Sequence, residues 1–273
     1  MEKFQLQMFF QIIGIGSASG LLYHNDMLYL ISDNSTYLYE YKIDSNELNK
    51  IALVENPQEN IAKKDKLDFE SIVIHENKIF TFGSASTENR NNIFSYALEN
   101  KEVTKYDQSK NFRDLEKIFD LKPKQLNIEG VLYNNDFVYL FQRGNGLENQ
   151  NGIFKIHNFG KQEPKFYKIS LPKINNIESS FTDAALVDGT IYFLACAENT
   201  ISTYDDGEIL GTFLGKMNLE DFSIDETILI SDKNKFEGIT LYKKTENKLE
   251  FLLCEDNDTE HLESNIFKLT IKK

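Results

Sequence analysis

One phrase is written five times along this chain: an acidic or hydroxyl residue, a small residue, an apolar run, a short polar turn and a second apolar run. The copies read "SGLLYHNDMLYLISDN", "ESIVIHENKIFTFGSA", "EGVLYNNDFVYLFQRG", "DAALVDGTIYFLACAE" and "EGITLYKKTENKLEFLLCED". Aligned on the small residue, the anchors Gly20, Ser71, Gly130, Ala184 and Gly238 stand 51 to 59 residues apart. A unit of that length cannot bury its apolar face alone, so neighbouring copies must stack to share a core.

The two apolar runs of each copy, joined by turns at His24 to Asp26, Glu76 to Lys78 and Asn134 to Asp136, predict a tight β-hairpin. Third strands follow as "YLYEYKI", "NIFSYAL", "GIFKIH", "GTFLGKM" and "NIFKLTI", and fourth strands as "ELNKIALV", "EVTKYDQ", "PKFYKISL" and "ETILIS". Four strands per unit at this spacing predict a propeller blade, and five units predict an all-β, five-bladed β-propeller spanning residues 1–273 as a single domain. The fifth unit ends before its fourth strand. The spare piece is the N-terminal run Phe4 to Ile13, where Phe4, Leu6, Met8, Phe10 and Ile12 alternate with mostly polar neighbours. Added to the last blade, it closes the ring and covers a sheet edge. Between units two and three, Phe112, Leu115 and Phe119 are spaced for a short inserted helix at about 111–121, ending before Pro123.

Composition narrows the partners. The formal charge is −13, and only Arg90, Arg113 and Arg143 among the thirty basic residues are arginine, which argues against a phosphate-backbone partner and so against nucleic acid. No segment has the length and apolarity of a membrane span. Gln5, Gln7 and Gln11 interrupt the apolar N-terminal run in a way a secretory signal core does not tolerate. Cys196 and Cys254 lack the spacing of a thiolate metal site and read as two buried thiols. These features point to a monomer in a reducing, cytoplasmic setting.

The residue before each anchor is Ser19, Glu70, Glu129, Asp183 or Glu237. In a propeller the first strand of every blade lines the axis, so one repeat position from five blades forms a ring at one height. Carboxylates about 5 Å apart in an effective dielectric near 20 repel by roughly 3 kcal/mol per pair. Three arrangements relieve that: protonation, a cation among them, or capping of each turn by backbone amides. A ring of hard oxygen donors suits calcium, with magnesium as the alternative, rather than zinc or copper.

In the order of these five residues, and in "YLFQRGN", "SSFTDAAL" and "KFEGITL", the chain resembles the calcium-dependent apyrases, the soluble calcium-activated nucleotidases; single phrases such as EGI also occur in phytase-like propellers. The resemblance implies a five-bladed propeller with a central calcium held by Ser19, Glu70, Glu129, Asp183 and Glu237. That family carries a hydroxyl where Asp183 stands, and Ser179, Ser180 and Thr182 are nearby substitutes. The loops after each second strand return to the ring and would form its rim, with Asp33, Asn34, Ser84, Ser86, Arg143, Asn145, Glu198, Asn199, Glu255, Asp256 and Asp258. Arg143 suits a phosphoryl oxygen, or alternatively pairs with a neighbouring carboxylate; it stands without a second basic group on the predicted rim. Asp33 and Glu255 are the candidate bases. Two functions follow as expectations: a metal-dependent phosphohydrolase acting on nucleotides or other small phosphorylated substrates, or a non-catalytic propeller with a structural cation that binds a protein partner.

Overall fold

The computed structural model describes residues 4–122, 125–144, 150–157, 162–200, 207–256 and 262–273. Strand β1 is Phe4–Ile13. The first blade is β2 (Gly20–His24), β3 (Met27–Ile31), β4 (Tyr37–Lys42) and β5 (Glu47–Ala52); the second is β6 (Phe69–His75), β7 (Lys78–Gly83), β8 (Asn92–Ala97) and β9 (Val103–Asp107). The third is β10 (Ile128–Asn134), β11 (Phe137–Gln142), β12 (Gly152–His157) and β13 (Lys165–Lys168). A two-residue-per-arm hairpin, β14 (Lys173–Ile174) and β15 (Ile177–Glu178), leads to the fourth, β16 (Ser180–Val187), β17 (Thr190–Asn199), β18 (Glu208–Asn218) and β19 (Ile224–Ser231). The fifth is β20 (Lys235–Lys244), β21 (Lys248–Asp256) and β22 (Glu263–Lys272), with β1 as its outer strand. The protein is a five-bladed β-propeller closed by its N-terminal strand.

Local chemistry explains the blades. Left-handed φ values at Asn25 and Asp26, Glu76 and Asn77, and Asp188 and Gly189 set the tight turns whose twist matches the hairpins they join. Each strand alternates faces, so every blade offers apolar residues to both neighbours. The result is five core clusters, one between each pair of adjacent blades, such as Leu30 and Tyr41 with Leu252 and Ile266 between blades one and five. The innermost strands touch in the cyclic order β2, β6, β10, β16, β20 and back to β2.

Closure is antiparallel, from Phe4 opposite Ile271 to Ile13 opposite Glu263, with one irregularity between Met8 and Phe10. The inserted helix α1 is Ser109–Ile118. It buries Phe112 and Leu115 against the cluster between blades two and three, and stops where Asp120 turns left-handed. No helix among the described residues is long and apolar enough to cross a membrane.

Candidate functional site

The inner strands are close to the axis because small residues let them be. A side chain at Gly238 would collide with Leu21 and Cys254 and crowd the Gly20 backbone, and one at Gly130 would press on the Asp183 backbone. Just above this narrow section the ladders of blades two to five carry a bulge. Phe69 pairs with Gly83 and Ser71 with Phe82, leaving Glu70 unpaired; Ile128 pairs with Gln142 and Gly130 with Phe141, leaving Glu129; Phe236 pairs with Glu255 and Gly238 with Cys254, leaving Glu237. A bulge residue has no partner in the ladder and its side chain is re-aimed, here toward the axis.

In blade four the ladder skips Thr182, between Phe181 and Asp183. Alignment on the small anchor puts Asp183 in the ring, but the register puts Thr182 there and Asp183 where other blades have Gly or Ser. The Asp183 carboxylate instead accepts from the Ile239 amide at 2.8 Å, strapping blade four to blade five. Burial pushes its pKa well up, opposed by the amides of Ile239 and Ala184. The hydroxyls at Ser19 and Thr182 do equivalent work, donating to the Phe69 carbonyl and, at 2.7 Å, to the Phe236 carbonyl of the next blade.

The three ring glutamates open into a polar cup of about 110 Å³. Asp33, Asp68 and Asp256 join them on the acidic side, and Lys63, Lys66, Arg90, Arg143 and Lys235 supply positive charge. Arg143 is therefore not alone. It is also largely covered and tied up, donating to Glu129 at 3.1 Å and to Glu198 at 2.8 Å. Lys235 lies 2.8 Å from Glu237, 3.5 Å from Asp256 and 3.6 Å from Glu198. Arg90 holds Asp68 at 2.7 Å, and Lys66 holds Asp33. Two of the ring carboxylates are thus neutralised by the protein's own cations.

Glu70 is the exception. Among the described residues it has no hydrogen-bond donor and no cation at ion-pair distance, and burial, then Glu129 and Asp68, hold its pKa well above the usual carboxylate range. One oxygen each from Asp33, Asp68 and Glu70 lie within 4.8 Å of one another. The candidate bases part company. Asp33 lines the cup, whereas Glu255 sits outside it, held by the side-chain amides of Asn234 and Asn265. The reason is strand alternation, which turns Asp256 into the cup and its neighbour away. Asn145 and Asp258 lie outside the described residues, as do His261 and Pro123. The cup lining holds no histidine among the described residues; His75 is remote, stacked on Tyr133 with ring centroids 4.4 Å apart.

A raised carboxyl pKa has a definite consequence. Folding favours protonated Glu70, so its contribution to stability is present at acidic pH and lost as pH rises through and above the ordinary carboxylate range. In chelator-treated protein, Glu70→Gln should melt higher than the parent at neutral pH, with the advantage shrinking toward pH 4. Thermal melts across that range in EDTA check this; a variant that melts lower at every pH contradicts it.

A profile for a family of unknown function, DUF6929, matches residues 14–271. The chain belongs to the DUF6929 family. No curated protein sequence matches it. Among solved structures, this member of the family is similar to a glutaminyl cyclase from Myxococcus xanthus, at 9% identity and a TM-score of 0.54 over 97% of each chain. It is also similar to the Malassezia sympodialis allergen Mala s 1, at 9% identity and a TM-score of 0.52 over 95% of each. At such identities the likeness concerns the fold, and function has to be argued from the cup.

Proposed function

We propose that this DUF6929 protein binds one divalent cation, calcium in preference to magnesium, in the axial cup, and that the cup serves a small phosphorylated substrate. The observation that carries the reading is the convergence of Asp33, Asp68 and Glu70, with no cation at ion-pair distance from Glu70 among the described residues. Three carboxylates at a small, water-accessible cup match the hard, oxygen-rich and flexible shell that calcium accepts. In this reading the cation sits toward blades one and two, not on the axis among Glu129 and Glu237, whose charges Arg143 and Lys235 already meet.

A bound calcium would supply Lewis acidity to a phosphoryl oxygen and lower the pKa of a coordinated water. The chain's own residues would do the rest. Lys66 and Arg90, beside Asp33 and Asp68, would face the oxygens of the substrate. The phosphoryl group would enter the cup, where the charged side chains converge, and the remainder of the substrate would lie toward the rim. The second reading, a structural cation in a non-catalytic binding propeller, draws its support from Arg143 and Lys235: the two deepest cations are saturated by carboxylates and have no charge to spare for a substrate.

Phosphate release from a panel of nucleotides and monoesters, with calcium, magnesium or EDTA, separates the two. Calcium-dependent release that disappears in Glu70→Gln is the expected result. A calcium-dependent rise in melting temperature with no release from any ester would establish the structural-cation reading instead. A cation at a hundredfold excess over its dissociation constant adds about 2.7 kcal/mol by mass action, which a thermal shift resolves readily.

A further inference from the structure

We infer that the Lys66 side chain is a tethered competitor for the cation site, seated on it when the divalent ion is absent and released when the ion binds. The inference rests on the cation reading above and adds its regulation. The Lys66 ammonium lies against the Asp33 carboxylate, one of the three groups that converge. Asp68 and Glu70 also act on it electrostatically, so it faces the whole cluster. Arg90 is bound differently. It is clamped at Asp68, at the Ser86 hydroxyl at 3.0 Å and at the Lys63 carbonyl at 3.1 Å, and belongs to the wall. Among the described residues Lys66 has a single side-chain partner, Asp33, and that partner is a cluster member.

The surroundings permit exchange. Lys66 lies on the segment between β5 and β6, where residues 62–65 are exposed. Its backbone is fixed, because the Asn89 side-chain amide donates to the Lys66 carbonyl at 2.7 Å. The four-carbon stem can therefore swing outward with no change in the blades. A compact ammonium on a flexible stem is a ready substitute for an inorganic cation, and the tether gives it a standing local concentration that free ions must overcome. When the binding-competent state is only fractionally populated, apparent affinity falls by that fraction. If Lys66 occupies the cluster nine-tenths of the time or more, calcium binding is weakened by about tenfold or more. The lysine thus sets the cation concentration at which the cup loads, and its release delivers a free ammonium to the rim where an anionic substrate would sit.

The inference predicts opposite signs for neighbouring residues. In calorimetric titrations of EDTA-treated protein with calcium, Lys66→Met should bind about tenfold tighter than the parent, and Glu70→Gln at least tenfold weaker. In the unmodified protein, calcium should raise the acylation rate of the Lys66 amine several-fold by mass spectrometry, while Lys50, paired with Glu59 in the first blade, stays constant. This second measurement needs no variant and so holds even if Lys66→Met folds poorly. A parent that binds calcium while Lys66 labelling is unchanged, or Lys66→Met that binds equally or more weakly, overturns the inference and leaves the cation site standing. No binding of calcium or magnesium by parent or Lys66→Met at millimolar concentration overturns both.

Discussion

A chain lacking residues 1–13 is expected to lose the native fold, appearing as insoluble or associated material rather than as a monomer with a shifted melting point. Those residues include β1, whose pairing with β22 completes the fifth blade. Ile12 is buried in the cluster between blades five and one; Phe9 and Phe10 pack on that cluster, and Phe4 and Leu6 on the one between blades four and five. Phe10 also stacks on Tyr41 of the first blade at 5.5 Å between centroids, so the strand clasps the two ends of the ring. A fully buried side chain of this kind contributes about 1.5–3 kcal/mol. One such residue and four half-buried ones sum to several kcal/mol, comparable to the whole stability margin of about 5–15 kcal/mol. Deletion also bares the long edge of β22, a template for association. Size-exclusion chromatography and calorimetry of the truncated chain decide it: a monomer with an unchanged melting temperature contradicts closure by β1.

Arg143→Ala should be the most damaging single substitution in the cup: of the two roles the sequence allows it, meeting a phosphoryl oxygen or pairing with a neighbouring carboxylate, the contacts are those of the second. Its guanidinium answers both Glu129 and Glu198; the two carboxylates are buried and the Arg143 side chain is only 12% exposed. Removing one member of a buried ionic group strands the others, at a cost of about 3–5 kcal/mol. In a chain of this size that lowers the melting temperature by on the order of 10 °C. The same substitution in a Glu129→Gln, Glu198→Gln background should cost far less, because nothing charged is stranded, and the difference measures the coupling. Equal costs in both backgrounds would show that Arg143 is not the counter-ion of these carboxylates.

The repeat made the blades legible. Alternation, turn residues and spacing locate the strands, and the missing fourth strand of the last unit points to Phe4 to Ile13. The ring was legible at Ser19, Glu70, Glu129 and Glu237 but not in blade four. Alignment on small residues assumes an unbroken ladder, and the bulge that moves Thr182 into the ring and Asp183 into the anchor place leaves no mark in composition. Lys235 and Asp68 were within reach of sequence reasoning. Each stands two residues before a ring glutamate, in "KFE" and "DFE", and both line the cup. Lys66 and Arg90 were not, since they come from the connection before β6 and the short helical turn Glu88–Arg90, which follow no repeat. The ring reads from sequence as an uncompensated cluster of negative charge because its counter-ions were not placed, when Glu129 and Glu237 are neutralised by Arg143 and Lys235.

Where a cation sits is tested most directly by the anomalous scattering of a crystal grown with calcium. One peak per chain is expected in the cup, at the 2.3–2.6 Å typical of calcium from carboxylate oxygens of Asp33, Asp68 and Glu70, with the Lys66 side chain turned away and Arg143 and Lys235 unmoved. A cup without a peak, or a peak among Glu129 and Glu237 with Arg143 displaced, would contradict it.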